Sequence, residues 1–439
     1  MINNMYQGNQ KDIFVILLQQ GPFSTGDRPL APGHISSPTR AWVRNVRETG
    51  LSTKYRILRN QIFEFLNVRS FAQIQPLIND APRRAAASKR AYGLLGNMFG
   101  IEGSEREIIN AVNNYSRTAD SVINYLRAKV LANYASHIEL TNEIDSCKDP
   151  VDLLLILFDD RYHKKARFEA KRKLVLMYLA GSIDQRERET DVERKFSQFL
   201  DFLNQHVWSK KFRIGELESV YLLSTHDADT FACTSVKVID RATAREMRLH
   251  TGQKLTLVKR RRFQDNGREV PIYVSVRKKP PEAKVLKLLR KGEENPAVAV
   301  DDELGLMAVV ESAVDVKTFQ KHLTRSACEA GSFMTLEEVS DTLAGGEHIS
   351  SNVGSSAQTP MFKFFARMGG MRVEFIVHTY KSYLNYMYQR GVSHDEYEIK
   401  RIFDSGVAEL LFPHDIYEFD MYGKKEALIS WFRQRIEGL

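Results

Sequence analysis

Cysteine is scarce in this chain: Cys147, Cys233 and Cys328 are the only three among 439 residues. They lie far apart and outside any C-x-x-C spacing, which argues against a thiolate zinc centre and a disulfide framework and fits a reducing compartment. Long hydrophobic runs are also missing. The most apolar stretches, Ile13–Leu18 and Val151–Phe158, fall far short of the roughly 20 residues a membrane span needs. Met1 to Lys11 is polar and carries no basic n-region, so no secretory signal is expected. No internal repeat is visible. These absences predict a soluble cytoplasmic protein with no membrane span.

What is present is more informative. A chain of 439 residues is too long for one compact core, so two or three domains are expected. A hydrophobic fraction of 43% and a charged fraction of 27% are ordinary for a globular protein. The net charge of +8 and the pI near 9.1 lean towards polyanionic partners, meaning nucleotides, nucleic acid or an anionic surface.

Residues 22–40 are rich in Pro, Gly and Ser, so residues 1–40 read as an irregular segment. Residues 41–205 read as a mainly α-helical domain. Apolar positions recur at three- and four-residue spacing in Ile57–Leu66, Glu105–Leu140, Ala166–Leu179 and Val192–Leu203. Ser104 and Glu107 have capping-box spacing, and Gly181 reads as a turn. From residue 206 the pattern changes. Ser219–Leu223, Thr234–Ile239, Lys254–Lys259 and Val270–Val276 alternate as strands, a β-rich lead-in over 206–273. Asn266-Gly267 tolerates the positive φ of a tight turn and predicts a hairpin between the last two. Strands are then expected at Leu306–Val310, Met361–Ala366 and Val373–His378. Helices are expected at Ala283–Leu289, Lys317–Ala330, Ser382–Tyr388, His394–Phe403 and Lys425–Ile436. The class is α+β, a helical N-terminal region followed over 206–439 by a mixed β-sheet domain flanked by helices.

The strongest cluster begins where a strand ends. Arg277, Lys278, Lys279, Lys284, Lys287, Arg290 and Lys291 put seven cations between positions 277 and 291, with Glu282 the only acid. On a helix, 284, 287 and 291 share a face, while Arg277 and Lys279 alternate with Lys278. Such a cluster can hold a polyphosphate, Arg by forked hydrogen bonds and Lys as a point charge. The plain alternative is a solvated basic face. Two acids follow: Asp301-Asp302 ahead of an apolar strand, and Glu374 within Val373-Glu374-Phe375-Ile376-Val377. A carboxylate in a buried strand is costly unless it meets a cation or a metal. Two of them beside a phosphate site suit Mg²⁺-assisted phosphoryl chemistry.

In order and spacing, residues 274–409 resemble the RelA/SpoT-type (alarmone synthetase) nucleotidyltransferases. That family carries R-x-K-x-x-x-S-x-x-x-K-x-x-R-K, then D-x-x-G-x-R, E-x-Q-x-R-T and a short G-[VI]-x-x-H. This chain has Arg277, Lys279, Lys287, Arg290 and Lys291, with Ala283 in the Ser place. Asp302 and Gly305 follow, then Glu374 and Thr379, then Gly391-Val392-Ser393-His394. The resemblance implies a nucleotidyltransferase-like sheet and Mg²⁺-dependent transfer of pyrophosphate from ATP to the ribose 3′-hydroxyl of a guanosine nucleotide, the alarmone chemistry of the stringent response. Arg277, Lys279, Lys287, Arg290 and Lys291 would hold the donor phosphates. Asp302 and Glu374 would bind the metal, with Glu374 the candidate base. The chain departs from the family at Met307 (Arg there), Ile376 (Gln) and His378 (Arg). It also lacks the N-G-Y-x-S-x-H string; Ser350–Phe365 stands in its place. Phe362 and Tyr380 are the candidates for stacking on an acceptor base. An RNA 3′ end such as tRNA is the alternative acceptor, and a nucleotide-binding or interaction protein without chemistry is the alternative class.

Elsewhere, His226-Asp227, Asp159-Asp160 with His163, Arg260–Arg262 and Pro82-Arg83-Arg84 read as turn, helix-boundary and surface residues rather than sites. No motif assigns a role to residues 1–205, and a protein partner for them is possible.

Overall fold

The computed structural model describes residues 48, 50, 52–209, 218–293, 295–346 and 358–438. The segment 1–40 with its apolar run Ile13–Leu18, and residues 350–357 of the stretch ending at Phe365, lie outside these. The chain divides into two compact units. One takes the described residues up to Glu189 together with Pro280–Val300 and Ile402–Lys425. The other takes Thr190–Lys279, Asp301–Arg401 and Glu426–Leu439. The helical unit thus recruits two segments that lie far along the chain, where the sequence alone suggested one break near residue 205.

The helical unit begins with α1 (Ser52–Leu66), α2 (Ala81–Met98) and α3 (Glu105–Tyr125). In α2, Asp80 accepts from the amide of Arg83 and Pro82 sits in the first turn, where its missing N–H costs nothing. Ser104 and Glu107 close the expected capping box on α3. α4 (Pro150–Ile156) and the long α5 (Lys164–Thr190) follow. α5 runs through Gly181 without a turn, contrary to expectation. A Cβ at Gly181 would lie 2.6 Å from the Phe99 ring, so the glycine is there for close packing. Ile62, Leu66, Ile74, Leu77, Ala91, Val151 and Leu154 are among the residues of the core between these helices.

The second unit opens with α6 (Val192–Phe202) and is built on an eight-stranded sheet. Its strands are β1 (Glu218–His226), β2 (Cys233–Ile239), β3 (Gln253–Asp265), β4 (Arg268–Lys278), β5 (Leu304–Val310), β6 (Thr335–Asp341), β7 (Phe362–Met368) and β8 (Met371–Thr379). They are arranged β2-β1-β3-β4-β5-β8-β7-β6. Every neighbouring pair is antiparallel except β5 and β8. Asn266 and Gly267 make the β3–β4 turn with φ of 47° and 79°, the left-handed conformation that dipeptide allows.

Between β4 and β5 the chain forms α7 (Pro281–Lys291), which belongs to the helical unit and packs on α3. The sheet unit continues with α8 (Ala313–Glu329), α9 (Tyr380–Tyr388), α10 (His394–Asp404) and α12 (Lys425–Glu437), the last two with ends in the helical unit, which also takes α11 (Val407–Leu411). One sheet face is covered by α6 and α8: Phe199 meets Phe375 edge-on, and Phe319 packs on Phe263. The other is partly covered by α9, through Tyr380 on Tyr273 and Tyr386 against His378. The three cysteines are unpaired. No helix among the described residues is long and apolar enough to cross a membrane.

Candidate active site

Side chains alternate along a strand, so cross-strand partners define rows on one face. Arg277 pairs with Gly305, Gly305 with Glu374, and Glu374 with Phe365. This row lies on the face that α9 partly covers, near the end where β4 stops. A glycine in the middle of the row leaves room. A Cβ on Gly305 would lie 3.3 Å from Nε of Arg277. The guanidinium therefore crosses β5 and brings Nη2 to 3.2 Å from Oε2 of Glu374. From β7, the ammonium of Lys363 sits 3.2 Å from the other carboxylate oxygen, Oε1. Lys279, just past the end of β4, holds Oδ2 of Asp302 at 2.7 Å. Lys278 reaches away, to Glu193 and Glu303. The strand alternation expected at 277–279 is therefore present.

Three cations thus converge on two carboxylates, an excess of one positive charge. Burial raises the pKa of Glu374, and nearby Asp302 adds to this. Lys279, Lys363 and Arg277 outweigh both, so the carboxyl is held below its ordinary value and is ionised. Exposure is graded across the cluster. The Arg277 side chain is 42% exposed and Lys279 18%, whereas Glu374 is 6% and Lys363 2%. The cations that face solvent are those able to exchange a carboxylate for an incoming anion.

The fourth motif element arrives at the same place. His394, at the start of α10, is stacked on Tyr386 with centroids 5.0 Å apart. Burial lowers its pKa, with Glu398 and Asp395 opposing and Arg277 adding a small further push. Arg277 also bears on Tyr386, whose phenol is raised mainly by burial. In the next row Ile376 pairs with Lys363, whose ammonium turns back to Glu374. Ile376 and His378 are buried, and burial pushes the His378 imidazole down to about 4, leaving the ring uncharged at neutral pH.

The remaining sequence candidates have other places. Lys287, Arg290 and Lys291 belong to α7 and so to the helical unit. There Lys284 and Lys287 are buried and Lys284 pairs with Glu187 of α5, while Lys291 is exposed, so only the last cation of this face is solvated. Phe362 and Tyr380 are core residues: Phe362 lies under the Lys317 ammonium at 4.1 Å, and Tyr380 packs on Tyr273. Neither offers a ring face to a base. Arg260 and Arg262 pair with Glu218 and Glu269, and Arg261 lies over Trp208. His226 hydrogen-bonds Ser224 and the Phe231 carbonyl through its two ring nitrogens. Asp159 is held by Arg161, and His163 accepts from the Ala166 amide.

Lys363 and Gly305 are the site residues that motif reading gave no role. The signal for Lys363 was a lone cation at an alternating position in the aromatic run Phe362-Lys363-Phe364-Phe365.

Among the described residues no three His, Cys, Asp or Glu side chains are grouped as a metal centre. Asp302 and Glu374 alone do match the small protein share that Mg²⁺ takes when a substrate phosphate completes its shell. Comparison with protein-family models, with curated proteins and with solved structures finds no match to this chain.

Proposed function

We propose that the Arg277–Glu374 row binds the phosphates of ATP and that the chain transfers pyrophosphate to a ribose 3′-hydroxyl. The observation that carries this reading is the convergence of Arg277, Lys279 and Lys363 on Asp302 and Glu374 at one strand end. Arg277 and Lys279, the more exposed cations, exchange their carboxylates for phosphate oxygens when the nucleotide enters. Glu374 then loses two of the charges that hold its pKa down, while Lys363 keeps it oriented. Its basicity rises when a hydroxyl proton has to be accepted.

In the transfer, the acceptor 3′-oxygen forms a bond to the β-phosphorus of ATP. The bond from that phosphorus to the α-phosphate oxygen breaks, AMP leaves, and the hydroxyl proton goes to the Glu374 carboxylate. Asp302 would hold Mg²⁺, which supplies charge neutralisation on the phosphate oxygens, and Glu374 would complete the metal site or act as the general base. The resemblance favours a guanosine nucleotide as acceptor, giving a guanosine tetraphosphate-type product. An RNA 3′ end such as tRNA is the other acceptor, in keeping with the chain's net charge of +8. The chemistry draws on ATP and so on a cytoplasmic setting.

The second reading is nucleotide binding without transfer. It is favoured by the neutral, buried character of Ile376 and His378 beside the row.

The test uses purified full-length chain, γ-labelled ATP, Mg²⁺ and GDP, GTP or tRNA in parallel. Label is expected in a small nucleotide, or retained on RNA for the other acceptor, and Asp302→Ala should remove it. ATP binding weakened by Arg277→Ala with no transfer to any acceptor would establish the second reading. ATP affinity unchanged by both Arg277→Ala and Asp302→Ala, again without transfer, would reject both.

A further inference from the structure

The basic charge of this chain is concentrated at one edge of the sheet. Between residues 233 and 262 nine Lys and Arg stand against two acids, Asp240 and Glu246, so this stretch holds nearly all of the net charge of +8. It covers β2, which is an edge strand, the short helix Arg241–Glu246 and most of β3. Four of the cations are engaged. Arg260 and Arg262 pair with Glu218 and Glu269, Arg261 lies over Trp208, and Lys254 donates to the Gly438 carbonyl. The other five, Lys237, Arg241, Arg245, Arg248 and Lys259, are exposed and make no ion pair among the described residues.

Strand register gathers them around one ring. Tyr221 of β1 pairs with Ile239 of β2 and with Leu257 of β3. In the adjoining rows of the same face Leu223 pairs with Lys237, and Ser219 with Lys259. Lys237 and Lys259 are thus diagonal neighbours of Tyr221, one on each side, at backbone separations of about 7 to 8 Å. The helix that follows Ile239 packs on β1 and carries Arg241 and Arg245 four residues apart, on one side. Further along β3 this same face holds Phe263, which α8 covers through Phe319. Towards β2 it is open: Leu257 is 54% exposed and Tyr221 and Ile239 are half-buried. The Arg277–Glu374 row lies on the opposite face.

We propose that this open face binds single-stranded RNA, with a base on Tyr221 beside Leu257 and backbone phosphates on Lys237, Lys259, Arg241 and Arg245. Charge complementarity selects a polyanion. The ring selects one with π faces, because a base stacks there and a bare polyphosphate does not. Ser219 and Ser235 add exposed hydroxyls to the same face, partners for a ribose 2′-hydroxyl that deoxyribose lacks. Leu257 is the only large apolar side chain well exposed on it, whereas docking on a lipid surface takes a continuous apolar face. This surface does not depend on the chemistry assigned to the Arg277 row.

Fluorescence anisotropy of a labelled oligouridylate of about 15 nucleotides, titrated with the full chain, tests the proposal. Binding is expected to be saturable, with log K falling against log salt at a slope of about 2 to 3, as for three or four phosphate contacts. Lys237→Ala combined with Lys259→Ala should weaken it by about tenfold or more and lower that slope by roughly 1.4. Tyr221→Leu should weaken it by about tenfold at unchanged slope, and Tyr221→Phe should keep it within about twofold. Melting temperatures close to that of the parent chain show that these variants fold. No saturable RNA binding, capture of phosphatidylserine vesicles in its place, or an affinity unmoved by the lysine and tyrosine variants overturns the proposal. Loss of RNA binding in Arg277→Ala but not in the lysine variant overturns it too, by placing RNA on the other face. Equal affinity for oligodeoxyuridylate overturns the choice of RNA.

Discussion

Nη2 of Arg277 reaches Oε2 of Glu374 at 3.2 Å across a strand whose intervening residue, Gly305, has no side chain. The guanidinium lies where a methyl group would begin to press on it, since a Cβ at 305 would sit 3.3 Å from Nε. Gly305→Ala should therefore shift Arg277 by a few tenths of an ångström without unfolding the sheet. Nucleotide affinity is expected to drop by roughly threefold, against tenfold or more for Arg277→Ala, which removes the charge-assisted contact altogether. Calorimetric titration of ATP into both variants checks this, and equal losses would mean that the glycine does more than clear a path.

Lys363 is the most deeply buried cation of the cluster and supports Glu374 from the strand opposite to Arg277. Removing Lys363 leaves Oε1 of Glu374 without its ammonium partner, while Arg277 still holds Oε2. Lys363→Met should lower the unfolding free energy by about 1 to 3 kcal/mol. Lys363→Met combined with Glu374→Gln should recover most of the loss, because no buried charge is then stranded. Urea denaturation of the two single variants and the double variant measures the coupling. Additive losses would rule out a direct pair.

Glu396 gives a pH-dependent signature. Burial raises its pKa, but Arg433, Lys400 and the Gly391 amide overcome this and hold the carboxyl near 2. An acid depressed on folding stabilises fully above its ordinary value of about 4.5, and the gain disappears as pH falls through the folded value. The window is pH 4.5 down to 2, and the contribution is on the order of 3 kcal/mol. Stability measured across that window should fall less steeply in Glu396→Gln than in the parent chain. Parallel curves would show that the Arg433 pair contributes no net stability.

Gly181 supplies a test of packing alone. With a Cβ 2.6 Å from the Phe99 ring, Gly181→Ala overpacks the helical unit and should cost about 1 to 3 kcal/mol, despite alanine's better helix propensity. Gly181→Ala with Phe99→Leu should restore part of it. A stabilised single variant, seen as a higher melting temperature, would contradict the close contact.

Local signals carried the fold a long way. The Ser104–Glu107 box, the Asn266-Gly267 turn and the period-two strands all depend on residues near one another in sequence, and all are present. Gly181 misled because a glycine can mark a turn or admit a neighbouring ring, and only Phe99, 82 positions away, decides which. β6 escaped notice because Thr335–Asp341 is an edge strand with two adjacent glutamates and little apolar alternation. At the site, Asp302 with Lys279 and Glu374 with Arg277 are brought together as the acid-and-base pattern suggested. Lys284 and Lys287 were not legible as buried, because a lysine's burial depends on a remote partner such as Glu187. Phe362 and Tyr380 look like stacking residues on paper, but the sheet consumes them as core.

The single parallel pairing in the sheet has a consequence in time. β3 and β4 meet through a two-residue turn, whereas Arg277 and Glu374 are 97 positions apart and join only when β8 docks beside β5. Closing so long a loop precedes any reward from the contacts it makes. During refolding, amides of the β3–β4 hairpin should gain exchange protection before those of β8. A freshly made chain would therefore hold most of its sheet before Arg277 meets Glu374, and would assemble that charged cluster as one of the last acts of folding.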